Sequence, residues 1–464
     1  MTRASLKPRG ALRLALSLGW LVGVNVCVSL IIQWYVLTHL GIGAESDAFF
    51  AAMIVPQIVG VFFTSALLHV LVPVLAAGEV ESGFDLRQEL WGIILQVGAV
   101  STLASAALYF TSAYWMRWLA PGFSPDAYSL AVALTGIQLL SLPFAAADCV
   151  LRAACRARRS FLRAEAATPI ANIVGLLLLV WALPRYGVHA AAWIMVLRVV
   201  LPVAFMWPVL GGWRRPRLWS TARAQALRRV KPLLLGGLYN HIPPLVTRQL
   251  ASLAPAGGLS LLTASQQLYR TANMVMDTAI VIPTSPALAV YAHGDEWDSF
   301  RSLYRARLRL LALLTIAGYV LLLACGKPLL ALTIGYGGVT NDNINSLWWM
   351  LAALGIGFVA NTSGQPVFAA FCAKGDTRTP VRLALFINTV SLPARALAFW
   401  AYGLWGMALM ISASAVVSLF VNIIFLEKSI PAHDGSPTSR AQRTARPSED
   451  TEHALGASAA VDAT

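Results

Sequence analysis

The sequence predicts an all-α polytopic membrane protein with about 12 transmembrane helices, arranged as two six-helix lobes around a central cleft. Three observations carry this. Of 464 residues, 58% are hydrophobic and 12% charged, against roughly 45–50% and about 25% in soluble domains. No water-soluble core hides that much apolar surface. The apolar residues also come in long runs without alternation. A helix needs about 20 such residues to cross a bilayer, whereas a barrel strand shows about 10 in alternation. Helices satisfy their own backbone groups, which lipid cannot do. Finally, the formal charge of +14 is concentrated in alternate short loops. That is the pattern of topology determinants facing the cytoplasm and anionic lipid, not of a nucleic-acid surface.

In order, the spans fall at 11–38, 47–75, 88–111, 127–149, 166–183, 187–210, 231–254, 260–290, 308–326, 345–372, 380–400 and 403–426. The first follows Arg3, Lys7, Arg9 and Arg13, but its apolar run is too long for a signal peptide and no small-residue cleavage site follows. It is read as a retained helix. Arg152, Arg156, Arg158, Arg159 and Arg163 crowd the 150–165 loop, and Arg214 to Lys231 the 211–231 loop. Arg301 to Arg309 and Lys374 to Arg382 mark two more, while the loops between hold only Arg117, Arg185 and Lys327. The 77–88 loop is the exception, acidic through Glu79, Glu81 and Asp85. Basic loops stay inside, so both termini are expected in the cytoplasm.

Two landmarks recur. Val72-Pro73-Val74-Leu75-Ala76 and Ser285-Pro286-Ala287-Leu288-Ala289 lie 213 residues apart, and Thr168-Pro169 and Thr379-Pro380 lie 211 apart. Six spans intervene, which predicts two parallel lobes: an N-lobe over 1–210, a cytoplasmic basic linker over 211–230 and a C-lobe over 231–428. Residues 429–464, rich in Pro, Ser, Thr, Ala and charge, read as a disordered cytoplasmic tail. Paired lobes of this kind hold substrate between them near the midplane.

Ionisable residues inside a span cost about 2.5–3.5 kcal/mol at helix centre and normally face a cavity or a partner. Arg198, Arg248, Arg270 and Arg395 qualify, and a guanidinium donates two parallel hydrogen bonds to phosphate oxygens. Gln266, Arg270, Asn273 and Asp277 are spaced as one helical stripe. It reads as a cavity wall in which Arg270 binds phosphate and Asp277 couples to a proton or cation. The competing reading is an Arg270–Asp277 pair that locks helices. Asn388, Ser391 and Arg395 form a second stripe, Asn25, Ser29 and Gln33 a third, and Asn361 and Gln365 a fourth. For Arg248 and Arg395 the alternative is snorkelling to headgroups; for Arg198 it is helix–helix bonding. Asp47, at the start of the second span, is read as a cap of its own helix, and Asp376 as a turn and cap before Thr379-Pro380. Pro243, Pro244, Pro283 and Pro286 mark kinks or hinges in spans seven and eight.

Cys27, Cys149, Cys155, Cys325 and Cys372 are scattered, so no disulfide framework and no metal site follow from them. No P-loop, HExxH or GxSxG occurs. The chain is read as a non-enzyme without a cofactor.

Ser46-Asp47-Ala48-Phe49-Phe50 with Pro56 and Val72-Pro73-Val74-Leu75, Thr168-Pro169-Ile170-Ala171-Asn172-Ile173, Arg248-Gln249-Leu250-Ala251-Ser252-Leu253 and Gly375-Asp376-Thr377-Arg378-Thr379-Pro380-Val381 resemble, in order, motifs of one family. It is the MurJ (MviN) branch of the multidrug/oligosaccharidyl-lipid/polysaccharide exporter superfamily. The resemblance implies alternating access by two six-helix bundles, and flipping of an undecaprenyl-pyrophosphate-linked glycan to the periplasmic leaflet of the bacterial inner membrane. In that branch the cargo is lipid II, and the resemblance implies drive by a coupling cation or the membrane potential. Here Val26 and Ile32 stand near its first-helix arginines, Gly60 and Val61 at its paired second-helix arginines, and Ser65 near its acidic residue. Gln266-Gln267 replaces an Asp-Arg pair, and twelve spans stand against the branch's fourteen. These departures favour another polyprenyl-linked glycan, such as a polysaccharide repeat unit. The expected partners are that glycan, membrane lipid and glycan-assembly enzymes, with the chain a monomer. A cation-coupled drug antiporter and a non-transporting membrane scaffold stay open as alternatives.

Overall fold

A computed structural model describes residues 8–78, 86–158, 160–216, 242–335 and 339–430. Among these, no strand occurs. The linker over 217–230, the start of span seven, the acidic cluster Glu79, Glu81 and Asp85, and the tail from 431 lie outside the described residues.

Helices α1 (Pro8–Leu40), α2 (Ala44–Gly78) and α3 (Leu86–Phe110) match the first three spans. The short α4 (Ser112–Leu119) leads to α5 (Pro125–Leu139) and α6 (Ser141–Ala157), which together make the fourth. Ser124 caps α5 by accepting from the Ala127 N–H, and Pro125 opens it, a combination of preset φ and satisfied amide. The fifth and sixth spans form one continuous element, α7 (Phe161–Met206), reversed at Gly187 with φ 63° and ψ −153°. In the second half, α8 covers 242–252. The eighth span is α9 (Gly258–Met276), a π-helical turn (Asp277–Val281) and α10 (Ile282–His293). Next come α11 (Trp297–Ile334), α12 (Asn341–Ala373) and α13 (Arg378–Ser429), the last reversed at Gly403 with φ 64° and ψ −151°. That backbone region is essentially open to glycine alone. The same torsion pair thus turns the last hairpin of each half, which extends the internal repeat.

Lipid is the solvent for the outer surface. Trp20, Phe110, Leu177, Leu313, Phe386, Leu397 and Trp400 are all exposed. The basic loops do more than set topology. Arg152 pairs with Asp148 at 2.7 Å and donates to the Ala164 carbonyl and Thr168 Oγ1, which ties α6 to α7. Arg156 pairs with Glu165, and Arg305 pairs with Glu427 at 2.7 Å.

At this basic end the buried apolar clusters each stay within one lobe: Leu90, Val150, Leu151 and Met206 in one, Leu288, Phe300, Phe371 and Leu426 in the other. At the lightly charged end one cluster spans both, joining Ala48, Ile54, Met116 and Leu119 to Leu250, Leu259, Met350 and Met407. The lobes therefore meet at the lightly charged end.

Candidate functional site

Above that shared cluster the lobes enclose a cavity of about 230 Å³. Helix α1 lends Ser29, Ile32, Gln33 and Val36, at the three- and four-residue spacing of one helical face. Phe49, Phe50, Met53 and Gln57 come from α2, and Met195 and Arg198 from the returning half of α7. The C-lobe supplies Arg248 from α8 and Thr263, Gln266, Gln267 and Arg270 from α9. Arg198 lies 11 residues past the Gly187 turn and Arg270 12 residues past the start of α9. At 1.5 Å per residue each is about 16–18 Å along its helix, near mid-membrane.

Arg198, Arg248 and Arg270 therefore converge from both lobes, and among the described residues none forms an ion pair. Arg270 is exposed to the cleft, whereas Arg248 is only 9% exposed and has not snorkelled. Arg198 does both things weighed for it. Its Nε donates to Asn172 Oδ1 at 2.8 Å, which is helix–helix bonding, while its side chain lines the cavity. Four glutamines, Gln33, Gln57, Gln266 and Gln267, surround the cations with neutral donors and acceptors.

The remaining sequence candidates lie elsewhere. Asn25 is one layer out, accepting from Asn172 Nδ2 at 2.7 Å. Asn273 turns from the cleft and hydrogen-bonds Thr362 on α12, which covers α9 beyond Arg270. Asn388 does not line the cavity, and its carbonyl accepts from Ser391. Arg395, 8% exposed, donates to Thr247 Oγ1 at 3.4 Å and Ser414 Oγ at 3.2 Å, between α8 and the two arms of α13. It neither reaches the cavity nor snorkels. Asp277 opens the π-helical turn and makes no ion pair with Arg270 among the described residues. The stripe read as one wall is thus divided at Arg270. Gln57 and Gln267 were missed; their signal was a lone amide after Pro56 and a doubled amide in an apolar helix.

Asp47 also differs from its sequence reading. It caps the other lobe: Oδ2 accepts from the Gly257 N–H and Oδ1 from the Ser260 N–H, both at 2.7 Å, and Ser260 Oγ also bonds Ser46 Oγ. An N-lobe carboxylate thus sits on the positive N-terminus of α9 and clasps the lobes at the lightly charged end. Beside Gly375, Asp376 Oδ1 accepts from the Thr379 N–H at 3.0 Å, the turn and cap expected there.

Comparison with known proteins names the architecture. The profile of the family described as lipid II flippase MurJ matches residues 36–441. The chain belongs to the MurJ family. A probable lipid II flippase MurJ of Vibrio cholerae is 25% identical over 417 residues, covering 84% of this chain and 77% of that protein. Lipid II flippase MurJ of Burkholderia cenocepacia is 22% identical over 404 residues, covering 84% and 78%. In three dimensions the chain is similar to a MurJ in an inward closed conformation, with TM-score 0.75, 17% identity and coverage of 89% and 88%. An inward-facing multidrug resistance MATE transporter gives TM-score 0.73 at 16% identity, covering 91% and 96%, and an outward-facing one 0.59. These likenesses are of fold. Among the described residues of this MurJ-family chain, the buried apolar cluster named above joins the lobes at the lightly charged end.

Proposed function

We propose that the chain flips a polyprenyl-pyrophosphate-linked glycan across the bacterial cytoplasmic membrane by alternating access, with both termini cytoplasmic. One observation carries the reading: three arginines from two lobes face one mid-membrane cavity, and no carboxylate pairs with them among the described residues. A cavity with that charge attracts an anion and repels cationic drugs. The guanidinium fork suits a diphosphate, and the surrounding amides suit sugar hydroxyls. The relatives' names point to lipid II. Val26, Ile32, Gly60 and Val61 at the branch's arginine positions instead favour a polysaccharide repeat unit as cargo, handed over by glycan-assembly enzymes to a monomeric flippase. Asp277, with one buried carboxylate oxygen lacking a partner among the described residues, is our candidate for proton or cation coupling.

The test is flipping of fluorescent undecaprenyl-pyrophosphate glycans in proteoliposomes, read by quenching of the outer leaflet. Protein-dependent flipping is expected, and Arg270→Ala or Arg248→Ala is expected to lower it at least ten-fold. No flipping of any glycan under an imposed potential and ion gradients, or full activity in both variants, would overturn the reading.

A further inference from the structure

The paired arginines at the basic end are held by carboxylates: Arg152 by Asp148, Arg156 by Glu165, Arg301 and Arg305 by Glu427. Arg198 is held differently. Its Nε donates to the Asn172 side-chain oxygen at 2.8 Å, and its Nη1 lies 2.9 Å from Met195 Sδ. Asn172, 4% exposed, spends Nδ2 on Asn25 Oδ1 at 2.7 Å and Ser29 Oγ at 3.1 Å. With both donors engaged by α1, its oxygen is fixed toward the guanidinium. The stem of Arg198 crosses Gly175, where an added Cβ would stand 2.6 Å from Cγ and 2.9 Å from Cδ. Nη2 makes no hydrogen bond among the described residues, and the side chain lines the cavity.

We propose that Asn172 is the positioning residue that makes Arg198 a diphosphate ligand: a neutral amide, locked by Asn25 and Ser29, orients the guanidinium without consuming its charge. This rests on the anionic-cargo reading above. A carboxylate at the same place still accepts from the arginine but neutralises it, because a carboxylate beside a guanidinium forms a charge-assisted pair; having no N–H to give, it keeps its place by accepting from the Ser29 hydroxyl and a turned Asn25 amide. The amide is therefore the element that separates an anion site from a helix–helix lock. A merely structural role for Asn172 predicts the reverse preference, since aspartate strengthens a lock.

The experiment uses the purified full chain in nanodiscs with inorganic pyrophosphate as probe, binding read by calorimetry and stability by thermal unfolding without ligand. Asn172→Asp is expected to keep the wild-type Tm or raise it while weakening pyrophosphate at least ten-fold. Arg198→Gln is expected to match that loss, and the double variant to be no weaker than either single one, because both remove the same charge. Gly175→Ala, which displaces the arginine stem and alters no charge, is expected to weaken binding about five-fold or more and carries the test should Asn172→Asp fail to accumulate. Arg248→Gln reports on the site independently. Wild-type affinity in Asn172→Asp, or in Gly175→Ala where that variant carries the test, together with a loss in Arg248→Gln overturns this inference and leaves the anion site standing. No pyrophosphate binding by the wild type overturns both.

Discussion

Helices α7 and α13 are the same device built twice. Each carries a Thr-Pro pair in its first arm, reverses at a glycine of φ 63° or 64°, and holds one intramembrane arginine. Yet the two arginines end in opposite circumstances. Arg198, on the returning arm of α7, is held by an amide and faces the cavity between the lobes. Arg395, on the outgoing arm of α13, lies buried among the hydroxyls of Thr247 and Ser414, and its Nε has no partner among the described residues. The difference teaches that an intramembrane cation marks a site only when its far end opens onto a cleft. The cost of insertion is common to both, and only the packing around them separates a cavity-lining cation from a brace.

The largest expected effect tests that separation directly. Arg198→Met is expected to lower flipping at least ten-fold, because the cavity loses one of its three cations. Arg395→Met is expected to keep flipping within two-fold. A buried charge without a carboxylate partner is costly to keep, so an apolar side chain of similar volume in its place is expected to leave the fold at least as stable. Parallel proteoliposome assays and melting curves decide it, and equal losses of transport would erase the distinction between the two hairpins.

The glycine turns, in contrast, are expected to behave alike. An added Cβ at Gly187 or Gly403 meets no atom within 4 Å, so alanine there costs only backbone strain, about 1–3 kcal/mol each. Chemical unfolding of both variants should give similar losses. A much larger loss at one turn would reveal that the hairpins differ in their backbones as well as their arginines.

Much of this was legible in the sequence. The run lengths gave the spans, and the two glycine turns fall where spans five and six, and eleven and twelve, were divided. Gln33, Arg198, Arg248, Gln266 and Arg270 were picked as polar groups in apolar helices, and all five line the cavity. What periodicity could not tell is where a face stops being cleft. Asn273 shares the face of Gln266, but α12 covers it there. At Asp277 the helix widens into a π turn, so simple α-helical spacing no longer says where the next residues point. Asp47 looked like a local cap because Ser46-Asp47 opens a helix, and nothing in one sequence announces that the N-terminus of α9 lies closer to its carboxylate.

That clasp makes the lobes unequal partners: the N-lobe brings the acid, and the position 213 residues on, Ser260, receives it. Losing such a cap costs about 1 kcal/mol, which shifts a two-state balance about five-fold. Asp47→Ala is therefore expected to raise the population open at the lightly charged end about five-fold, measured as a spin-label distance across that end between α2 and α9. An unchanged distance distribution would show that the apolar cluster shared by the lobes closes this end unaided.

The smallest effect concerns how the two hairpins begin. In α7 the Thr168 hydroxyl accepts from Arg152 at 2.6 Å, whereas in α13 the Thr379 N–H donates to Asp376 at 3.0 Å. The hydrogen bonds from Thr379 hold the Asp376 carboxyl below its ordinary value of 3.8. A depressed carboxyl stabilises the fold above the ordinary carboxylate range, and that contribution fades as pH falls through the folded value. Asp376 is partly exposed, so solvent screens part of this. Asp376→Ala is expected to lower Tm slightly at pH 7, by a cap's worth of about 0.5–1 kcal/mol, with the loss shrinking as pH falls below the ordinary carboxylate range. Thr168→Val, which removes the acceptor of Arg152 without touching a carboxylate, is expected to give a loss independent of pH between 3 and 7. Parallel melting curves across that range distinguish a contact made to a carboxylate from one made to a hydroxyl, and a pH-independent loss in Asp376→Ala would remove the carboxylate from the account of α13.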